Sequence, residues 1–410
     1  MKYAIVIPDG CADDPLPELD GRTPLQAARL PNMDRVAQAG VVGLTNNVPA
    51  TLTPASDVAT LSLFGYDPLE VYTGRAPLEA AARGVILGPD DWAIRCNTVH
   101  VPDGHMRDFT SGHISTEEGH QVVRTLANAL LDLDLSEFGL HAGQLELVAG
   151  VGYRNLLIVR NAGATLDSDL QTQPPHDIPD KPVADFLPRG TGSALLQALM
   201  EWSKSILSDH PVNVARRDEG KKDATQIWLW GQGKAPTLVP FVRRYGPVGA
   251  ITCGVDLVRG VGALLGWDRL EAAGVTDYLD NDYALQGRLA VKNLAEYDLI
   301  CVHVEAPDEA SHEGRADEKI KALERIDEHI VGPLLEALPG FGEWRILISP
   351  DHRTPLKTRA HSYGAAPFTV AGTGIGANGQ TTYDEVTAAA SGLSFDPGWH
   401  LMSWFLGEKK

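Results

Sequence analysis

The stretch LICVHVEAPDEASHEG, residues 299–314, decides the reading of this chain. It opens as an unbroken apolar run, the pattern of a strand buried in a parallel sheet. It then turns abruptly polar. His303–Gly314 holds two His, three Glu and one Asp, with Asp308 and His312 in a D-x-x-x-H pair. Metal-capable groups are thus crowded at the end of a buried strand.

The same texture recurs on either side. YAIVI (3–7) is a second continuous apolar strand, with Asp9 just beyond it. WRILISP (344–350) is a third, followed directly by Asp351 and His352, and His361 stands in RAHS. GAITCG (249–254) and PFTVAG (367–372) read as further buried strands. Between them lie expected helices at 255–265 and 282–296 and one long amphipathic helix over 316–338. Thr23 before Pro24, Asn32, and Ser56 or Asp57 stand where helix caps are expected.

In open α/β sheets functional groups gather just past the C-terminal ends of the strands. Three strand ends here deliver Asp or His to one sheet edge, and the loop before the 56–65 helix adds Ser56. Mixed carboxylates and imidazoles suit divalent ions such as Mn, Zn, Co or Mg. Two such sets would hold two ions close together and clamp a phosphoryl group, with Ser56 at a helix N-terminus as an activated nucleophile. Each piece alone has a plainer reading. Asp after a strand is a turn residue, Ser56 is an N-cap, and D-x-x-x-H is polar surface. Their shared location is what joins them.

The middle of the chain differs. AIRCNTVHVPDGHMRDF (93–109) predicts a hairpin turning at Asp103-Gly104. A helix is expected over 115–133, opened by Ser115 or Thr116. LELVAG, YRNLLIVR and QIWLWG read as strands around a helix in GSALLQALMEWSKSIL, and QTQPPHDIPDKPV, with four Pro, as an irregular loop. The expected layout is an α/β core made of residues 1–79 and 249–410, interrupted by an inserted α+β module over 80–248.

Composition narrows the partners. The 410 residues carry a formal charge of −19, which repels nucleic acid and anionic membranes. An anionic substrate would need local cations. No apolar run is long enough to span a bilayer, and MKYAIVIPDG lacks the apolar region and cleavage site of a signal peptide. The four Cys are widely spaced without C-x-x-C, so a disulfide framework or zinc ribbon is not expected, and a reducing cytoplasm is. The oligomeric state stays open.

DG after the first strand, TPASDVATLSLFGYDP, YTGRAPLEA, HVEAPDEASHEG and DHRTPLKTRAHS resemble the archaeal-type, cofactor-independent phosphoglycerate mutases of the alkaline phosphatase superfamily. RCNTVHV, GHISTEE, YRNLL and WLWGQGKAP extend the resemblance nearly end to end. It implies an alkaline-phosphatase-like three-layer core with a mostly parallel sheet. It implies two divalent ions, one on Asp308, His312 and His361, the other on Asp9, Ser56, Asp351 and His352, with His303 and Glu305 in support. It implies that Ser56 is transiently phosphorylated while 3-phosphoglycerate and 2-phosphoglycerate interconvert. The inserted module would close as a lid, with Arg154, His113 and Arg75, and then Lys234 and Lys181, gripping the substrate. Arg259, a further residue expected to bind substrate, stands in DLVRG where Lys is common, Ala76 stands where Gly is common, and Arg353 where a small residue is frequent. GRAPLEA and RCN are shared with a bacterial branch proposed to act as homoserine kinase. A phosphotransferase of that kind, or a metal-dependent phosphatase, would use the same metal-serine chemistry.

Overall fold

A computed structural model describes residues 1–407, and twelve strands form among them. In chain order they are β1 (Lys2–Pro8), β2 (Val41–Thr45), β3 (Trp92–Val99), β4 (Leu145–Val148), β5 (Arg154–Val159), β6 (Gln226–Lys234), β7 (Gly249–Thr252), β8 (Asp268–Arg269), β9 (Leu299–Val304), β10 (Trp344–Ile348), β11 (Ala366–Gly372) and β12 (Ser394–Phe395). The chain divides into two compact units, Met1–Tyr72 with Thr237–Lys410, and Thr73–Pro236.

The first unit is built on an eight-stranded sheet in the order β12-β2-β11-β10-β1-β9-β7-β8. β1 pairs in parallel with both β9 and β10, and β9 pairs in parallel with β7. Only β11 runs against its neighbours, β10 and β2. Side chains alternate across the sheet because successive residues of a strand point to opposite faces. Ala4, Val6, Ile300, Val302, Ile346 and Ile348 share one core with the helices Pro31–Ala39, Tyr283–Asn293 and Ala316–Ile326. On the other face Tyr3 and Phe368 meet Phe405 and Trp404 of the helix His400–Leu406. Apolar strands covered on both faces are what the continuous runs demanded.

The second unit has a four-stranded antiparallel sheet, β4-β5-β3-β6. The helices Thr116–Leu130 and Ser193–Leu207 contribute Val122, Leu126, Leu195 and Leu199 to its main core. The helix Arg75–Ala82 packs Ala76 and Ala80 against Ala93, Leu156 and Ile158. That packing places the first boundary before residue 75, ahead of the 79/80 junction expected from sequence. The second boundary also falls earlier than 248/249, because Phe241 packs on Trp267 and Tyr245 of the first unit.

Three local expectations change. The 93–109 hairpin does not form, since β3 is satisfied by β5 and β6, and only the bridge His100↔Asp108 remains. Asn32 is not a cap. The helix begins at Pro31 after Leu30, and the Asn32 amide donates to Asp327 Oδ2 at 2.9 Å. The expected 316–338 helix contains a π-helical turn at Asp327–Val331. Pro333 lacks the N–H that a regular ladder would use there.

One ion pair ties together the segments around the sheet edge. Lys319, fully buried, donates to Asp13 Oδ2 at 2.8 Å and to the Thr354 carbonyl at 3.0 Å. Asp13 also accepts from Leu356 N at 3.1 Å. Lys319 thereby joins the loop after β1, the loop after β10 and the helix that follows residues 306–313. Removing one partner of a buried pair strands the other charge. Lys319→Met is expected to cost about 3–5 kcal/mol in urea denaturation. Adding Asp13→Asn should recover part of the loss.

Candidate active site

The strand ends do converge. Asp9 follows β1, Asp351 and His352 follow β10, and the helix Ala306–Glu313 follows β9 and carries Asp308 and His312 one turn apart. Gly10 lets the chain pass closely. Its φ is +57°, and a Cβ there would lie 2.2 Å from Asp308 Oδ1. Glycine is the residue that meets both demands.

Two groups of potential ligands result. In the first, His312 Nε2 lies 2.9 Å and His361 Nε2 3.4 Å from Asp308 Oδ2, and the two Nε2 atoms are 3.1 Å apart. His312 is oriented from behind by the Arg359 carbonyl, 2.9 Å from Nδ1. In the second, His352 Nε2 is 3.4 Å from Asp9 Oδ1, 3.6 Å from Asp351 Oδ2 and 3.1 Å from Ser56 Oγ. Asp9, Asp308 and His352 also present atoms within 4.8 Å of one another, so the two groups adjoin. Ser56 is buried at the first position of the helix Ser56–Leu63, so the helix N-terminus favours negative charge on its oxygen. Ala55, rather than Ser56, occupies the cap position. Tyr363 and His361 fasten their own loop to the segment before Ser56, by bonds to the Leu52 and Pro54 carbonyls.

The electrostatics are unbalanced. Burial, reinforced by the charges of Asp351 and Asp308, pushes the Asp9 carboxyl well above its ordinary range. Burial and the Asp9 charge do the same to Glu305. Burial opposes ionisation of Asp308 too, but hydrogen bonds from His312 and His361 outweigh it and hold this carboxyl well below its usual range. The hydrogen bond to Asp308 raises His312 to about 9. Asp9 Oδ1, Asp351 Oδ1 and Glu305 Oε2 are buried and take no hydrogen bond from any described residue. Buried acceptors without donors are costly, and a divalent cation would satisfy them. Oxygen and imidazole donors in these numbers fit such ions.

Supporting residues lie behind the ligands. His303 holds Asp9 Oδ2 at 2.7 Å through Nε2, while its Nδ1 faces Cys253 Sγ at 3.3 Å. Gln286 donates to the His303 carbonyl at 2.9 Å and is itself held by Asn281. Thr354 Oγ1 contacts Asp308 Oδ1 and lies 3.2 Å from His352 Nδ1. Cys253, Thr354 and Gln286 are not among the site residues expected from the sequence. Cys253, at the end of strand GAIT, carried the signal of a fourth strand end at the same edge.

The residues expected to grip substrate fall in both units. Arg259 belongs to the first unit and spends its Nε on the Cys253 carbonyl at 2.7 Å. Lys181 donates to the Asp177 carbonyl and lies over the Phe186 ring. Lys234 lies 5.5 Å over the Trp92 ring. His113 adopts a left-handed φ of 51°, with its N–H bonded to Thr110 Oγ1. No hydrogen bond from a described residue engages the Nη groups of Arg75 or Arg154. Arg75 approaches Glu79 at 3.7 Å, and Arg154 uses Nε on the Tyr153 hydroxyl.

A family model described as 2,3-bisphosphoglycerate-independent phosphoglycerate mutase matches residues 37–213. A Methanothrix thermoacetophila protein of that name is 43% identical over 97% of this chain and 97% of its own length. Among solved structures, a cofactor-independent phosphoglycerate mutase from Thermoplasma acidophilum superimposes with a TM-score of 0.69 at 25% identity, covering 99% of each chain. A Pyrococcus horikoshii protein gives 0.81 at 27% identity, covering 100% of this chain and 98% of that one. The shared length and identity leave one conclusion: the chain belongs to the 2,3-bisphosphoglycerate-independent phosphoglycerate mutase family.

Proposed function

We propose that this chain interconverts 3-phosphoglycerate and 2-phosphoglycerate without a bisphosphoglycerate cofactor, by passing the phosphoryl group through Ser56. The observation that carries the reading is the Ser56 hydroxyl, buried 3.1 Å from His352 Nε2 beside carboxylates that each keep one oxygen without a hydrogen bond from any described residue.

Two divalent ions, for which we propose Mn ahead of Zn, Co or Mg, would act as Lewis acids on the phosphoryl oxygens when held by Asp308, His312 and His361 and by Asp9, Ser56, Asp351 and His352. The protein's own part in this reading is as follows. Ser56 Oγ forms a bond to phosphorus as the bond from phosphorus to the C3 oxygen breaks, and the proton that leaves the Ser56 hydroxyl is balanced by one gained at the C3 oxygen. Glycerate is then free to turn. Its C2 hydroxyl oxygen takes the phosphorus and gives up its proton, and the bond to Ser56 Oγ breaks as that oxygen regains a proton. The helix N-terminus stabilises charge on Oγ in both steps. His303 and Thr354 hold Asp9 and Asp308 in position. Retention of glycerate, which separates a mutase from a phosphatase, we assign to the inserted unit as a substrate-gripping lid. The four buried, free cysteines support a reducing, cytoplasmic setting. Among the described residues no helix is long and apolar enough to cross a membrane.

Purified protein supplied with Mn and 3-phosphoglycerate is expected to yield 2-phosphoglycerate with no added bisphosphoglycerate. Inorganic phosphate released in step with substrate loss would instead identify a phosphatase and overturn the proposal. Ser56→Ala should lose about 10³-fold or more in kcat with an unchanged circular dichroism spectrum. His303→Asn should keep the fold but weaken Mn binding, measured by calorimetric titration, by about 10–100-fold.

A further inference from the structure

β10 has a second end. Its last residues lead to Asp351 and His352, while its first lie beside a cavity of about 270 Å³ that the metal-competent groups do not line. Val41, Ile375 and Trp404 form the apolar part of the wall, and Arg345, Gly374 and Gly376 the polar part. Arg345 pairs with Gly372 in the ladder between β10 and β11. It stands six positions before Asp351, roughly 20 Å away along an extended chain.

Arg345 serves the fold with only part of its guanidinium. Nε donates to the Thr373 carbonyl at 2.8 Å and Nη1 to the Phe405 carbonyl at 2.6 Å. Those bonds clamp the loop after β11 and the helix His400–Leu406 to the start of β10. Nη2 donates to no described residue, and no carboxylate among the described residues pairs with the group. Two glycines keep it uncovered. A Cβ at Gly374 would lie 3.2 Å from Nη2, and one at Gly407 2.9 Å from Nη1. Both have a left-handed φ, +76° and +82°, which suits glycine. The amide N–H groups of Gly374 and Gly376 also lack an acceptor among the described residues. Arg345 is half-buried, so its charge has lost water without gaining a counter-charge. An anion in the cavity would supply one.

We propose that this cavity is an anion-binding site apart from the active site, for a small organic phosphate or carboxylate with an aromatic body. Arg345 Nη2 holds the head group through two N–H donors, fixed in place by bonds the fold already makes. Val41, Ile375 and Trp404 receive the body, and an aromatic ring gains most against an indole wall. The site shares no residue with the catalytic cluster and stands whether or not the mutase reading holds.

The test reads Trp404 directly. The full chain, with its eight Trp replaced by 5-fluorotryptophan, is titrated with phenyl phosphate, benzoate and inorganic phosphate. The Trp404 fluorine resonance is assigned from Trp404→Phe. Phenyl phosphate or benzoate should move that resonance with a Kd of about 1 mM or below, and the tighter of the two names the head group. Inorganic phosphate, which has no ring, should bind about tenfold more weakly. Arg345→Gln and Gly376→Asp should each weaken the tighter ligand about tenfold or more. A Cβ at Gly376 meets nothing within 4 Å, so Asp there adds charge at the rim without disturbing the fold. If Arg345→Gln fails to fold, Gly376→Asp decides. A Trp404 resonance unmoved by both ring-bearing anions, or moved with wild-type affinity in the variants, would overturn the site. Inorganic phosphate binding as tightly as phenyl phosphate would overturn the aromatic assignment.

Discussion

Carboxylates crowded into a buried corner cannot all stay charged unless a cation joins them. Asp9, Glu305, Asp351 and Asp308 meet at the edge of the large sheet, three of them with an oxygen that no donor of a described residue reaches. That arrangement works against folding taken alone. It makes sense as a cradle whose stability is completed by ligands of opposite sign. The surrounding fold must therefore be strong enough to hold repelling groups together before those ligands arrive.

The structure meets that demand with devices of different kinds. The flat hydrophobic interior, Ala4, Val6, Ile300, Val302, Ile346 and Ile348, fixes the three strands that end at the site. Lys319 and Asp13 lock two of the loops that leave those strands. Gly10 lets the first loop approach Asp308 more closely than any side chain would allow. His303, gripped on one side by Cys253 and on the other by Asp9, holds one carboxylate oxygen so that the other stays free. The three active-site segments are thus positioned by packing, by an ion pair and by a hydrogen-bond relay, and no one of these acts alone.

Much of this was legible in the residues, and for physical reasons. Continuous apolar runs such as YAIVI and LICV are uncommon outside strands covered on both faces, so the parallel sheet followed from them. Asp9, Asp308, His312, Asp351, His352 and His361 could be gathered because sheet topology sends strand ends to one edge. The signal failed where side chains work through space rather than along the chain. Lys319 reads as one more charge on an amphipathic helix, and only coordinates reveal that it is fully buried. Cys253 reads as an ordinary buried cysteine. The 93–109 hairpin failed for a related reason. Asp103-Gly104 is a good turn, but β3 found better partners in strands far along the chain.

The strand order carries a consequence for biosynthesis. β1 is made early, yet both of its neighbours, β9 and β10, emerge only after the entire Thr73–Pro236 unit has been translated. On the ribosome that apolar ribbon must wait, unpaired, through some three hundred residues of elongation. The inserted unit is contiguous and can collapse on its own while the rest is still being made. The eight-stranded sheet must close long loops late. Nascent chains are therefore exposed to aggregation through β1 until β9 and β10 emerge, and a chaperone that shields β1 would act where the topology leaves it bare.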